Sequence, residues 1–295
     1  MKMEKIINEL FQQGIFQSIN VHCETLQGGT ASELYLLQDS TNAQCVVKFN
    51  EPEVLQAEAA FLDCYNHLSL IPTLLYADSS HRYIVYSFIS GTTQLTGINK
   101  QILLRTLAEE VLNQYKNTAA DTGYGFIDER MESWPNFLQK EILEASKIIG
   151  SCVEEAEHDF VLNILKALED HHVKRDPFLL HGDCGIHNFI FNDSKLAGVI
   201  DPTPVIGYPL YDLIYAFCSC PHDLTKETFD AAVHCLTIEN EKSNAFLYEK
   251  VVVGLYLRLG ACIKHHPYDF ERYLEAWFYW KSIVYGAQRQ EKSSN

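Results

Sequence analysis

The sequence predicts an α+β protein in two lobes, a small antiparallel β lobe with one helix followed by a larger, mainly α-helical lobe. Three observations carry this. Short apolar or β-branched runs separated by turn residues fill residues 1–90. Helix-period apolar patterns dominate 91–295. A hairpin pattern interrupts them, Asn188 to Phe191 and Leu196 to Ile200 around a turn at Asn192-Asp193-Ser194. The two domains are therefore placed at 1–90 and 91–295.

Taken in order, Ile6, Ile7, Leu10 and Phe11 recur at helical spacing and predict a short amphipathic helix over 3–13. Residues 15–26 and 33–38 read as a hairpin about Gly28-Gly29, and AQCVVKF at 43–49 as a third strand. A helix over 53–68 begins behind Pro52, whose fixed φ suits a first turn. Residues 74–77 and 83–88 add two strands around Asp78-Ser79-Ser80, giving β-β-β-α-β-β. Beyond Gly91, residues 98–117 and 134–173 are long helical patterns. The apolar strand Phe178-Leu179-Leu180 runs into His181-Gly182-Asp183, and 210–286 is helical and aromatic.

A chain of 295 residues with 47% hydrophobic and 21% charged residues can bury a sizeable core. Twenty-three Lys and Arg against 39 Asp and Glu give a formal charge of −16. That balance repels phosphate backbones and argues against nucleic-acid partners; it favours neutral or cationic ones. No apolar run reaches the ~20 residues of a membrane span, and VVVGLYLRLGAC at 251–262 contains Arg258. Acidic residues and glutamines break up the N-terminal MKMEKIINELFQQGIF, and nine cysteines form no framework, so the expectation is a cytoplasmic protein. Oligomeric state is not readable from the sequence, and a two-lobed monomer is the default expectation. Cys218-x-Cys220 with His222 lacks a second ligand pair and reads as buried thiols.

The segment HGDCGIHN at 181–188 is the sharpest signal. Asp183 follows the end of a buried strand and Asn188 opens the next one. Asp201 closes the hairpin after Gly198-Val199-Ile200, so the hairpin returns it toward Asn188. An amide oxygen and a carboxylate so placed are hard ligands that suit Mg²⁺ and leave room for waters and phosphate oxygens. Asp183 is then the carboxylate left to orient a hydroxyl and accept its proton.

This arrangement resembles the aminoglycoside phosphotransferase and choline kinase superfamily, small-molecule kinases of protein-kinase-like fold. The H-G-D-x-x-x-x-N element stands here as HGDCGIHN and the I-D element as VID at 199–201. The G-x-P-x-x-D-L element stands as Gly207-Tyr208-Pro209-Leu210-Tyr211-Asp212-Leu213. TGYGFIDERMESWPNFL at 122–138 is similar to a stretch with a glycine-rich turn and a Trp found in many members. The resemblance implies that Asp183 is the catalytic base, that Asn188 and Asp201 hold Mg²⁺, and that Lys48 holds the phosphates of ATP or GTP with Glu58 pairing to it. It implies that Gly28, Gly29 and Ser32 lie in the loop over those phosphates, and that Tyr86, Ser87, Phe88 and Ile89 form the connector whose backbone binds adenine. Asp212 is implied as a brace of the catalytic loop, with His181 as a hydrogen-bonded loop former.

Each residue also has a plainer reading. Lys48 alone is a snorkelling strand lysine, Asp212 a helix-start residue, His187 a loop residue, and Cys184 a thiol without the partner a nucleophile needs. The HGD element lacks the arginine of protein kinases, Asp201 is followed by Pro202-Thr203 rather than Phe-Gly, and no A-P-E follows, which argues against a protein kinase and against control by activation-loop phosphorylation.

The acceptor expected from the resemblance is a hydroxyl of an aminoglycoside or related aminated sugar, with antibiotic resistance and metabolism both open as the physiological role. Acidic clusters at Asp128, Glu129, Glu132 and at Glu154, Glu155, Glu157, Asp159 could draw in such a polycation, or be solvated helix faces. Tyr273, Trp277, Tyr279 and Trp280 could stack on a sugar or cage a quaternary ammonium, or form core. Choline or ethanolamine, homoserine and sugars stay open as acceptors. A reading from another class, a catalytically silent nucleotide-binding module, is opposed by the joint presence of Lys48, Asp183, Asn188 and Asp201.

Overall fold

The computed structural model describes residues 2–26, 32–94, 97–119, 122–170, 176–238 and 243–294. Two compact units emerge, one of Met1–Gln94 with Asn188–Pro204, the other of Leu95–His187 with Val205–Asn295.

The first unit opens with helix α1 (Lys2–Gln12) and contains strands β1 (Val21–Leu26), β2 (Glu33–Asp39) and β3 (Gln44–Phe49), helix α2 (Pro52–Cys64), and strands β4 (Leu74–Ala77) and β5 (Ile84–Ser87). The strands form one antiparallel sheet in the order β1-β2-β3-β5-β4. Alternation along the strands divides its two faces. Leu37, Cys45, Val47, Phe49 and Val85 pack with Ile6 and Leu10 of α1 on one face. Val46 pairs with Tyr86 and Lys48 with Ile84, so these four share the opposite face. A lysine within such a strand needs its charge answered on that face, and α2 supplies the answer. Its buried side comprises Leu55, Ala59, Phe61, Leu62 and one carboxylate, Glu58.

The hairpin β9 (Phe189–Asn192) and β10 (Lys195–Val199) belongs to this unit. The boundary placed at residue 90 assigned it to the helical lobe, but three contacts tie it to the sheet's connections. Thr92 and Phe191 exchange both backbone hydrogen bonds, at 2.9 and 2.8 Å, and Val199 N–H donates to the Leu70 carbonyl at 2.7 Å. Gly198 lies under Ile89, where an added Cβ would stand 2.6 Å from the Ile89 side chain. Asp193 and Ser194 both take positive φ, 47° and 59°, the backbone a tight hairpin turn demands.

The second unit comprises helix α3 (Lys100–Glu110), strands β6 (Tyr124–Phe126) and β7 (Glu129–Met131), helices α4 (Trp134–Ile149) and α5 (Glu155–Asp170), strands β8 (Phe178–Leu180) and β11 (Val205–Gly207), and helices α6 (Leu210–Cys218), α7 (Lys226–Val233), α8 (Asn244–His265) and α9 (Phe270–Ser294). The helical pattern over 134–173 is therefore two helices. Gly150, at φ 49°, ends α4 in the left-handed region that most side chains avoid. The pattern over 98–117 stops at Glu110 and continues as a short 3₁₀ turn, Leu112–Gln114. The expected strand Phe178–Leu180 is present as β8, but it joins a four-stranded sheet, β7-β6-β11-β8, whose other three strands are absent from the sequence expectation because three residues each are too few for a period to register.

Helix α6 is the element that matters most for the site. It is buried through Leu210, Leu213, Ile214 and Phe217, and Ile214 packs against Gly254 of α8 so closely that a Cβ there would meet it at 2.2 Å. Trp277 and Trp280 of α9 are fully buried, with indole N–H groups donating to Glu157 (2.6 Å) and the Leu224 carbonyl (2.8 Å).

Candidate active site

In the first unit Lys48, Glu58 and Asp201 meet. The Lys48 ammonium donates to Glu58 Oε2 at 2.6 Å and also to Asp201 Oδ1. Lys48 and Glu58 are almost wholly buried, 3% and 1% exposed, whereas the Asp201 side chain is 42% exposed. Burial alone would depress the lysine's pKa, but the two carboxylates outweigh it and hold it above its usual value. Burial pushes the Glu58 carboxyl up, with Lys48 pulling it back down. Asp201 sits at φ 60°, a conformation that Asp tolerates better than most residues. It follows the strand end where Ile200 N–H donates to the Asn188 carbonyl at 2.9 Å. The hairpin thus brings Asp201 and buried Asn188 to the same end of neighbouring strands.

In the second unit Asp212 holds the segment leading to Asp183. One oxygen accepts from the His181 backbone N–H (2.9 Å) and the Tyr115 hydroxyl (2.7 Å), the other from the Gly182 N–H (3.1 Å). Gly182 takes φ 80° there. Asp212 and His181 are fully buried; burial raises the Asp212 carboxyl to about 6 despite these donors. Asp183 behaves oppositely. Burial would raise it, but donors at both oxygens and nearby histidines draw it down to about 2. Tyr215 O–H donates to Oδ1 at 2.6 Å, and His187 Nε2 lies 3.2 Å from Oδ2. An ionised carboxylate only accepts, so that nitrogen carries the proton. Cys184 is fully buried with its thiol pushed up, unlike an activated nucleophile.

Sequence reasoning missed Tyr215 and treated His187 as a loop residue. A signal for Tyr215 is present, since it lies three positions after Asp212 on a helix and so shares its face. Of the other candidates, Ser32 accepts from Asn50 Nδ2 at 2.9 Å, which leaves its own proton to donate. Gly28 and Gly29 lie outside the described residues. Tyr86 is buried with its hydroxyl pKa well raised by burial and by Glu58 and Asp201. Ser87 is engaged with Thr73, while Phe88 and Ile89 continue the connector.

The acidic clusters are partly committed. Glu157 is buried under Trp277 and Lys281, whose ammonium donates at 2.7 and 2.8 Å, and Glu129 pairs with Lys140. Tyr273, Trp277 and Trp280 are core, and Tyr279 is partly exposed with its hydroxyl accepting from Lys226 N–H.

The fold is that of protein-kinase-like phosphotransferases. Similar solved structures include macrolide 2'-phosphotransferase MphH from Brachybacterium faecium (15% identity, 93% of this chain and 97% of that one, TM-score 0.59). A choline/ethanolamine kinase family protein from Mesorhizobium loti is also similar (13%, 96% and 95%, TM-score 0.60). So is an aminoglycoside phosphotransferase APH(4)-Ia variant in ternary complex with ADP and hygromycin B (16%, 94% and 97%, TM-score 0.58). No curated protein sequence matches. The profile of the phosphotransferase enzyme family (APH) matches residues 22–236, and the chain belongs to that family. It is a phosphotransferase.

Proposed function

We propose that this phosphotransferase is an ATP-dependent small-molecule kinase that moves the γ-phosphoryl group to an acceptor hydroxyl. The observation that carries the reading is the buried Lys48–Glu58 pair with Asp201 on the same ammonium. A strand lysine buried with a helix carboxylate is fixed in position, and its charge is available to a polyphosphate on the exposed Asp201 side. Ser32 contributes a hydroxyl donor, and the connector at Tyr86, Ser87, Phe88 and Ile89 contributes backbone groups for the purine. Similar folds solved in complex with ADP and with AMP-PNP support a nucleotide here.

Asn188 and Asp201 supply an amide oxygen and a carboxylate oxygen, a donor set that fits Mg²⁺ with its preference for hard ligands and retained waters. When bound, the ion neutralises charge on the phosphates. Asp183 orients the acceptor hydroxyl and takes its proton. A carboxylate held far below its ordinary range is a weak base, so it accepts that proton late, as a loose transition state allows. Positioning and electrostatics supply most of the acceleration.

For the acceptor we carry forward an aminated sugar such as an aminoglycoside, supported by the net charge of −16. Choline or ethanolamine, homoserine, sugars and a macrolide are the competing acceptors. The test is Mg²⁺-dependent ADP release from ATP, screened with hygromycin B, erythromycin, a fructosamine, choline, homoserine and free sugars. Asp183→Ala should lower kcat by roughly 10²–10⁴-fold with ATP binding kept. Normal turnover by that variant would remove Asp183 from its role. Failure of the wild type both to bind ATP·Mg²⁺ and to release ADP would favour the silent module.

A further inference from the structure

Asp183 has both carboxylate oxygens occupied from within its own unit. Tyr215 O–H donates to Oδ1 at 2.6 Å, and His187 Nε2 is 3.2 Å from Oδ2. The three side chains arise from two segments, 181–188 and α6. Gly185 makes their approach possible, since a Cβ there would stand 2.5 and 2.7 Å from the His187 ring and 3.0 Å from the Tyr215 ring. Tyr215 lies one helical turn from Asp212, which grips the backbone of His181 and Gly182. The same face of α6 therefore fixes the loop through Asp212 and the carboxylate through Tyr215.

We propose that Tyr215 is a positioning residue for phosphoryl transfer, aided by His187, which locks the plane of the Asp183 carboxylate so that a lone pair meets the acceptor hydroxyl. The inference rests on the kinase reading of Asp183. A carboxylate on a single-bonded side chain has a free χ2 rotation that the backbone brace at 181–182 leaves untouched. Two donors on opposite oxygens remove it. The phenol is suited to the task because its own ionisation is pushed up by burial and by the Asp183 charge, so it stays a donor. The Tyr215 side chain is half-buried, whereas His187 is 52% exposed, so the phenol bears most of the constraint.

The decisive variant is Tyr215→Phe, which deletes one hydroxyl and keeps the ring. His187→Gln, which keeps an N–H donor, and His187→Ala, which does not, form the companion pair. Two readouts are taken on the full chain. The first is carboxyl-carbon NMR on [¹³Cγ]-aspartate protein, with Asp183 assigned by its loss in Asp183→Asn. The Asp183 carboxyl should titrate below the ordinary Asp range in the wild type and move upward in Tyr215→Phe. The second is ADP release with ATP·Mg²⁺ and the fastest acceptor of the panel above, or water where none exceeds it. Tyr215→Phe should lower kcat by roughly 10-fold or more while the KM for ATP changes by less than about 2-fold, and His187→Gln should recover most of what His187→Ala loses. A stationary Asp183 titration, an unchanged kcat, or a kcat loss matched by an equal rise in KM and a fallen melting temperature overturns the proposal. A wild type that neither binds ATP nor releases ADP sinks the kinase reading, and the carboxyl titration then still decides whether Tyr215 holds Asp183.

Discussion

Lys48 is a structural residue to which the proposed function adds a chemical role. Its ammonium is buried against Glu58, and removing one partner of a buried pair leaves the other charge uncompensated. Lys48→Met should therefore cost about 3–5 kcal/mol in urea unfolding. The double variant Lys48→Met/Glu58→Leu should recover much of that stability, because two apolar side chains replace two buried charges, yet it should not recover ATP binding. A double variant as unstable as the single one would deny that the buried charge is the cause. Asp183 gives a pH dependence of definite sign. Its folded pKa is lowered to about 2, so its contribution to stability is present above the unfolded value near 3.9 and is lost as pH falls toward 2. The stability difference between wild type and Asp183→Asn should shrink between about pH 4 and pH 2, as followed by urea midpoints at pH 5, 4 and 3. Lys48, Asp183, Asn188 and Asp201 stand out in the sequence as candidates because their types and order form a motif. Tyr215 does not, because its spacing from Asp212 gives a shared helix face but not what that face meets.

At the scale of elements, α6 and the hairpin β9–β10 position the candidate residues. Gly254 of α8 admits Ile214 of α6, and a Cβ there would meet a stiff β-branched side chain at 2.2 Å. Ala gains about 1 kcal/mol of helix propensity over Gly, but overpacking costs typically about 1–3 kcal/mol and the contact is far too short for relaxation of one methyl to absorb. Gly254→Ala should lower the melting temperature and, by shifting the helix that bears Asp212 and Tyr215, lower kcat with the KM for ATP little changed. A variant with wild-type melting and kcat would show that α6 moves without consequence. The elements of the first unit were readable from alternation and turn residues. Of the three-residue strands of the second unit only β8 was, as the apolar run Phe178-Leu179-Leu180; the other three exist through pairing between segments up to 81 positions apart, such as Ile206 with Gly125.

At the scale of the molecule, the proposed ligand couples to stability. A ligand that binds only the folded chain adds about 2.7 kcal/mol at 100 times its Kd. ATP with Mg²⁺ should raise the melting temperature of the wild type, ATP with EDTA should raise it less, and Asp201→Asn should erase most of the difference between the two. An equal shift with and without Mg²⁺ would remove Asp201 from the metal-binding role. The formal charge of −16 sets a background that ATP must overcome, so the shift should grow with salt at low ionic strength.

The sequence alone determined the α+β class, the order of the strands and helices in residues 1–90, and which polar residues are the candidates for the proposed chemistry. Those are properties of local periodicity and of motif spacing, which a linear chain displays. Tertiary structure alone decided that the hairpin joins the first unit, that Asp201 shares the Lys48 ammonium with Glu58, and that Asp183 is held by Tyr215 and His187. Each of these depends on packing between residues distant in sequence, where burial and charge, rather than local preference, choose the partner.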